Sequence, residues 1–334
     1  MAVNSPMTLY KISLIIFACS FFLSYLLTPL IRRFSITFNI VDEPSLERKI
    51  HRNPMPLLGG MAIFLSFILT LSFLYLIISY HFSIGGPKYF LFSQQQLFWI
   101  KIGLYLISSM LILLIGILDD FKSIDFKLKL IVQSLAALIL IFGGTRLNVL
   151  PWPFANILIS FIWIVCLTNS LNLLDNMNGL TTGLSIIITS FFIIVAYLTQ
   201  HFLLSIFLII PLGALLGFLP YNFPKAKIFL GDTGSLFIGF SLATFSVWLF
   251  DHLIYSKNMF TAFAMLILLL SIPFFDTLTV IVIRIKNHRP IYVGDKNHLS
   301  HHLVRYGLST TMAVIILYLS SIIFGTLGLS LFLL

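Results

Sequence analysis

Apolar runs long enough to cross a bilayer recur from Leu9 to Leu334, and the polar residues collect in the gaps between them. A hydrocarbon core of roughly 30 Å is crossed by about 20 apolar helical residues. Backbone polar groups have no water to bond inside that core, so each run reads as a helix that satisfies its own N–H and C=O groups. We place spans at 9–31, 58–80, 97–118, 127–143, 154–172, 180–199, 202–219, 233–250, 259–283 and 311–333. The fourth and seventh are short and need tilt or flanking residues to cross. The ninth is long and holds Pro273 near Asp276, so a kink or break is expected there. The expected fold class is all-α: a polytopic integral membrane protein of about ten transmembrane helices, one domain over residues 1–334. Pro211 and Pro273 do not form the matched pair of broken spans that an inverted-repeat transporter predicts.

Charge gives the orientation. Only 9% of residues are charged, against about 25% in soluble domains. Of the 20 Lys and Arg, 15 lie after spans one, three, seven and nine or at their edges; the others are Lys11, Lys88, Lys101, Arg146 and Lys257. By the positive-inside rule the larger group faces the cytoplasm and both termini face outward. The net charge of +9 then reflects this bias and anionic headgroups rather than nucleic acid. Of the 11 acidic residues, all but Asp251 also fall on or near the inner side. Acids contribute little to topology, so a catalytic face is the better explanation. The inner loops are 32–57, 119–127, 172–180, 220–232 and 284–310. Cys19 and Cys166 lie inside spans and suit neither a disulfide framework nor a metal site. The first span lacks a basic start and a small-residue cleavage site, and reads as retained rather than as a signal peptide.

Each inner cluster has a structural and a chemical reading. Asp119-Asp120 ends the third span; it could be an interfacial stop, or paired acids that hold a divalent metal and place a base beside it. Asn169, Asn172 and Asp175 recur every three residues, on one face if the helix persists, and Asn178 follows. Such a face in lipid needs protein, water or substrate against it. Asp232, in Phe229-Leu230-Gly231-Asp232-Thr233-Gly234-Ser235, is placed to cap the eighth span, and its glycines also let backbone approach a phosphate or metal. His298, His301 and His302 lie among Arg284, Lys286, Arg289, Lys296 and Arg305. Without Cys or a His-Glu-x-x-His pattern they suit diphosphate recognition better than zinc. Arg48, Lys49, His51 and Arg52 give the first inner loop the same character. Carboxylates for Mg²⁺, cations for phosphate and a membrane face together suit phosphoryl transfer to a lipid.

Five ordered segments carry a family likeness: Val41–Gly60, with Pro54-Met55-Pro56-Leu57-Leu58-Gly59-Gly60 at its end; Gly116–Asp120 followed by Lys129–Gln133; Asn169–Leu180; Phe229–Ser235; and His298-x-x-His301-His302. The chain resembles the polyprenyl-phosphate N-acetylhexosamine-1-phosphate transferases, the glycosyltransferase 4 group. That resemblance implies transfer of a sugar 1-phosphate from a UDP-N-acetylhexosamine, UDP-GlcNAc in the first place, to undecaprenyl phosphate. UMP would be released, with Mg²⁺ as cofactor and Mn²⁺ as a substitute. Undecaprenyl phosphate, membrane lipids and a second copy of the chain complete the implied partners, in a bacterial cytoplasmic membrane; nucleic acid is not among them. The implied catalytic residues are Asp119 as base at the lipid phosphate, Asp120 as its partner near metal or nucleotide, and Asp232 as metal ligand. Asp120, Asp175 and Asp232 form the implied metal set. Lys49, His51, Lys129, Asn169, Asn172, Asp175, Asn178, His298, His301 and His302 are implied substrate contacts.

The sequence departs from the pattern at Asn178, where many relatives carry Asp; an amide supplies no negative charge. The spaced histidines and the Pro-Met-Pro-Leu-Leu-Gly-Gly segment look more like the GlcNAc-1-phosphate branch, which starts O-antigen and other surface glycans, than the phospho-MurNAc-pentapeptide branch. A nucleotide-sugar or anion transporter is the rival of a different class; it would not need Asp119, Asp120 and Asp232 on one face. A CDP-alcohol phosphotransferase would need an Asp-Gly-x-x-Ala-Arg pattern that is absent.

Overall fold

The computed structural model describes residues 6–43, 54–83, 92–288 and 297–333. The helices are α1 (Pro6–Thr37), α2 (Gly59–Ser83), α3 (Phe92–Phe121), α4 (Phe126–Phe142), α5 (Pro153–Leu174), α6 (Leu180–Leu198), α7 (Phe202–Asn222), α8 (Gly231–Ser256), α9 (Met259–Leu269), α10 (Ser271–Lys286), α11 (Leu299–Arg305) and α12 (Thr310–Leu333). Two short strands, β1 (Val41–Asp42) and β2 (Met55–Pro56), pair antiparallel between α1 and α2. The protein is an all-α polytopic membrane protein. Among the described residues, eight helices are long and apolar enough to cross a bilayer, and α9 with α10 adds a ninth span that is bent. The fourth expected span, α4, has 17 residues and reaches only about 25 Å. It packs between α3 and α5.

The ninth span is broken by 74°, at Leu270 rather than at Pro273. A proline ring collides with the carbonyl four residues earlier, and here that residue is Leu269, the last of α9. Pro273 itself sits in the first turn of α10, where its missing N–H costs nothing. Pro211 and Pro220 stay inside a continuous α7.

The bundle is built around α8. Its membrane-spanning window is buried throughout, whereas the window of α1 is 28% buried. Helix α1 packs on α2 and α7 and leaves Phe22, Leu26 and Leu30 exposed to the bilayer. Helices α2, α3, α5, α6 and α9 surround α8. Polar atoms on α8 are matched in the core: Tyr105 Oη and Ser241 Oγ lie 2.6 Å apart, and Trp163 Nε1 donates to Ser246 Oγ at 2.9 Å.

Close backbone packing sets the start of α8. Gly59 N and Gly60 N, whose N–H groups have no partner within α2, donate to Phe229 O and Leu230 O, each at 3.0 Å. A Cβ on Gly60 would strike the backbone of Gly234, and one on Gly116 would lie 2.7 Å from Asp232 O and Thr233 Cα. The Gly59-Gly60 and Gly116 motifs thus bring α2 and α3 against the Gly231–Gly234 turn.

Candidate active site

At one end of the bundle, the last turns of α3, α5 and α7 meet the first turns of α8 and α12. They enclose a cavity of about 1130 Å³, whose wall includes Asp119, Asp120, Asn172, Asp175, Asn178, Asp232 and His301. These residues are far apart in sequence, and helix ends bring them together.

Asp120 has a role that the sequence did not predict. Its Oδ1 accepts the backbone N–H of Asp232 at 2.8 Å, and its Oδ2 accepts Thr233 N at 3.2 Å and Thr233 Oγ1 at 2.6 Å. It therefore satisfies free donors at the start of α8 from another helix. Asp232 was expected as the cap; instead it is the second residue of α8, and the residue at the cap position, Leu230, makes no side-chain bond. Gly231 precedes it at φ +73°, with Asp120 directly against its Cα, so a side chain there would be both strained and obstructed.

Freed from capping, the Asp232 carboxylate turns into the cluster. Its Oδ1 accepts Asn172 Nδ2 at 3.1 Å and its Oδ2 accepts Lys129 Nζ at 2.7 Å. The same ammonium donates to Asp119 Oδ2 at 2.9 Å, while Asp119 Oδ1 accepts Ile124 N at 2.8 Å. Lys129 was expected to meet phosphate or uridine; in the structure it bridges two carboxylates. Charge attraction at hydrogen-bond distance, in a partly buried place, outweighs exposure to the cavity.

Asp175 caps the C-terminal end of α5 and lines the cavity. Burial, with repulsion from Asp232 and Asp120, pushes its carboxyl up to about 7. Among the described residues no three His, Cys, Asp or Glu converge closely enough to enclose an ion. Asp120, Asp175 and Asp232, the expected set, all line the cavity; the oxygens of Asp120 also accept Asp232 N, Thr233 N and Thr233 Oγ1, and those of Asp232 accept Asn172 and Lys129. Four carboxyl groups in one cavity wall, two of them sharing one ammonium, suit a divalent cation that would take further ligands from water or substrate oxygens.

The other expected contacts divide. Asn172 also donates to Ser235 Oγ at 2.8 Å. Asn169 pairs with Gln133 and donates to Val165 O, so it serves contact between α4 and α5 rather than the cavity. Asn178 is exposed at the cavity wall and donates to Pro224 O at 3.4 Å. The three histidines do not act together. His301 lines the cavity, His298 is buried against Asp276, and His302 lies outside the cavity wall. Arg284, expected in a basic loop, is buried in the last turn of α10. Lys49 and His51 lie outside the described residues. Sequence reasoning gave Asn176 and Asp276 no role, although Asp276 stood out as an acid within an apolar run, and read the Thr233 and Ser235 hydroxyls only as part of the Gly231–Ser235 motif.

Residues 102–250, which include Asp119, Asp120, Asp175 and Asp232, match the model of glycosyl transferase family 4. The probable undecaprenyl-phosphate N-acetylglucosaminyl 1-phosphate transferase of Bacillus subtilis is 33% identical over 309 residues, 90% of this chain and 79% of the relative. The chain belongs to glycosyl transferase family 4. Two other members place it more finely. The decaprenyl-phosphate N-acetylglucosaminephosphotransferase of Mycolicibacterium smegmatis is 30% identical over 89% of the chain and 76% of that protein. The phospho-N-acetylmuramoyl-pentapeptide-transferase of Staphylococcus epidermidis is 31% identical, over 70% of the chain and 74% of its own length. Within the family, likeness to the N-acetylglucosaminyl branch thus extends over more of the chain.

Proposed function

We propose that the protein transfers N-acetylglucosamine 1-phosphate from UDP-GlcNAc to undecaprenyl phosphate, releasing UMP, as the first step of a cell-surface glycan. The observation that carries this reading is the gathering of Asp119, Asp120, Asp175 and Asp232 at the wall of one cavity, with Lys129 bridging Asp119 and Asp232. A transporter would have no use for that concentration of carboxylates at one end. Its volume of about 1130 Å³ exceeds the roughly 300–1,000 Å³ usual for one small ligand, and suits a nucleotide sugar together with a lipid phosphate.

In this reading Asp232 and Asp175 would hold Mg²⁺, with Mn²⁺ as a substitute. When bound, the metal offsets charge on the diphosphate and improves the leaving group. Asn172 and Lys129 fix the Asp232 carboxylate, and Asp120 fixes its backbone. Asp119 takes the proton from the lipid phosphate. A lipid phosphate oxygen then attacks the β-phosphorus of the UDP-sugar; its bond to the bridging oxygen breaks, and that electron pair leaves with UMP. His301 stands where it can donate to a substrate phosphate. In this reading the cavity faces the cytoplasm of a bacterial cell, where UDP-sugars are made, and the positive-inside count supports that orientation.

The test is direct. Purified protein is incubated with undecaprenyl phosphate, Mg²⁺ and equal concentrations of UDP-GlcNAc, UDP-GalNAc and UDP-MurNAc-pentapeptide, and the lipid products are identified by mass. A GlcNAc-diphosphate lipid with matching UMP is expected. A dominant muramoyl-pentapeptide lipid would overturn the branch, and absence of UMP release with every donor would overturn the reaction.

A further inference from the structure

Helix α11 brings His301 to the cavity, yet it has only seven residues. A helix of that length does not hold its position by its own hydrogen bonds. Two side chains outside it seat its first turn. Asp276, on α10, is fully buried, and its Oδ1 accepts the backbone N–H of Leu299 at 2.7 Å. Its Oδ2 lies 2.7 Å from Nδ1 of His298, which is 3% exposed and occupies the cap position of α11. A carboxylate only accepts, so this contact calls for the His298 tautomer that carries its proton on Nδ1. From the α5–α6 connection, Asn176 Oδ1 accepts Ser300 Oγ at 2.6 Å. His301 is the next residue, and Asn176 adjoins Asp175.

An acid inside an apolar segment is costly, and apolar packing would join α10 to α11 at least as well. What a carboxylate supplies and an apolar contact does not is direction: one oxygen for the Leu299 amide and one for the His298 ring. We propose that Asp276 is a positioning residue for the transfer reaction, fixing through His298 and the Leu299 amide the place His301 takes in the cavity wall. The inference rests on the phosphotransferase reading for its catalytic consequence; the seating itself does not.

The test uses the full chain in detergent with Asp276→Ala, Asp276→Asn, His301→Ala and the double variant Asp276→Ala/His301→Ala. A misplacement of about 1 Å can cost about 10²-fold, so Asp276→Ala should lower kcat by that order. Asp276→Asn keeps an acceptor for the Leu299 amide and should recover part of the loss. Because Asp276 acts through His301, the double variant should be no slower than His301→Ala alone. Independent multiplication of the two losses would overturn the proposal, as would full activity in His301→Ala. A second readout needs no turnover: carbethoxylation of His301 by diethylpyrocarbonate, followed by mass spectrometry, should change severalfold in Asp276→Ala. If no UDP-sugar is turned over even by the unmodified protein, the phosphotransferase reading has failed, and this reactivity alone decides the seating. Unchanged His301 reactivity in both Asp276 variants would overturn it.

Discussion

The two ends of the bundle treat charge differently. At the cavity end, Asp119, Asp120, Asp175 and Asp232 line one wall, and the Lys129 ammonium contacts only Asp119 and Asp232 among them. At the other end Asp251 has Lys101 at 3.4 Å and Arg146 near enough to attract it. The rings of His201 and His252 stack there with centroids 3.3 Å apart, and burial lowers the proton affinity of His201, which favours the neutral ring. Charge that is matched where it stands holds structure together. Carboxylates beside the large cavity outnumber the one ammonium seen to contact them. The same helices, α3 and α8, run to both ends, so the contrast belongs to the residues placed there and not to the fold.

The largest effect that would sharpen this contrast is expected from Asp232→Asn. The amide keeps the size and can still accept from Asn172, but it removes the charge facing Lys129 and the cavity. Loss of one preorganised electrostatic group at a reacting centre costs about 10²–10³-fold in kcat, and a loss of that order is expected. The measurement is UMP release across a Mg²⁺ titration. Near-normal turnover at every Mg²⁺ concentration would mean that the carboxylate only holds Asn172 and Lys129 in place, and the two ends would then be alike.

How much of this was legible beforehand follows from which contacts are local. The spans were legible because burial in lipid imposes itself on every residue of a run. Spacing put Asn169, Asn172 and Asp175 on one face if the helix persisted; the helix ends at Leu174, Asn172 and Asp175 reach the cavity, and Asn169 pairs with Gln133 instead. Asp120 as the cap of α8 was not legible: its partners lie 112 and 113 residues away, and a cap supplied from another helix has no sequence spacing. The histidines were read as one group because they are neighbours in the chain. A short helix turned His298 toward Asp276 and His301 toward the cavity. The break in the ninth span was expected at its proline, but a proline acts on the turn before it, and the bend falls at Leu270.

A smaller effect separates the two ends along a single helix. Gly116 and Gly103 both lie on α3. A Cβ at Gly116 would lie 2.7 Å from backbone atoms of Asp232 and Thr233, whereas a Cβ at Gly103 meets nothing within 4 Å. Overpacking of this kind costs about 1–3 kcal/mol, and in Gly116→Ala it displaces the turn that presents Asp232. Lower thermal stability and reduced turnover are expected together. Gly103→Ala should be neutral or stabilise the helix by up to about 1 kcal/mol. Thermal unfolding and UMP release, measured on both variants, check the pair. Equal behaviour of the two would show that close packing at the α8 start does not set the site.

The smallest effect is expected where charge is already matched. In Lys101→Met, Asp251 loses its nearest cation but keeps Arg146 within reach. In Asp251→Asn, Lys101 is released on a long stem that can carry its ammonium to water or headgroups. Both partners are 20% exposed and their separation is 3.4 Å, so solvent already weakens their attraction, and pairs of this kind contribute about 0–1 kcal/mol. Each variant should therefore shift thermal unfolding only slightly. Turnover should stay within roughly twofold of the unmodified protein, since screening limits how far a single charge acts. The informative comparison is with Asp232→Asn under the same Mg²⁺ titration. If removing the Asp251 carboxylate reduced kcat as deeply, matched charge would matter to the reaction as much as unmatched charge, and the distinction between the two ends would not stand. If it reduced stability without touching kcat, the loss would confine the Lys101–Asp251 pair to holding α3 against α8.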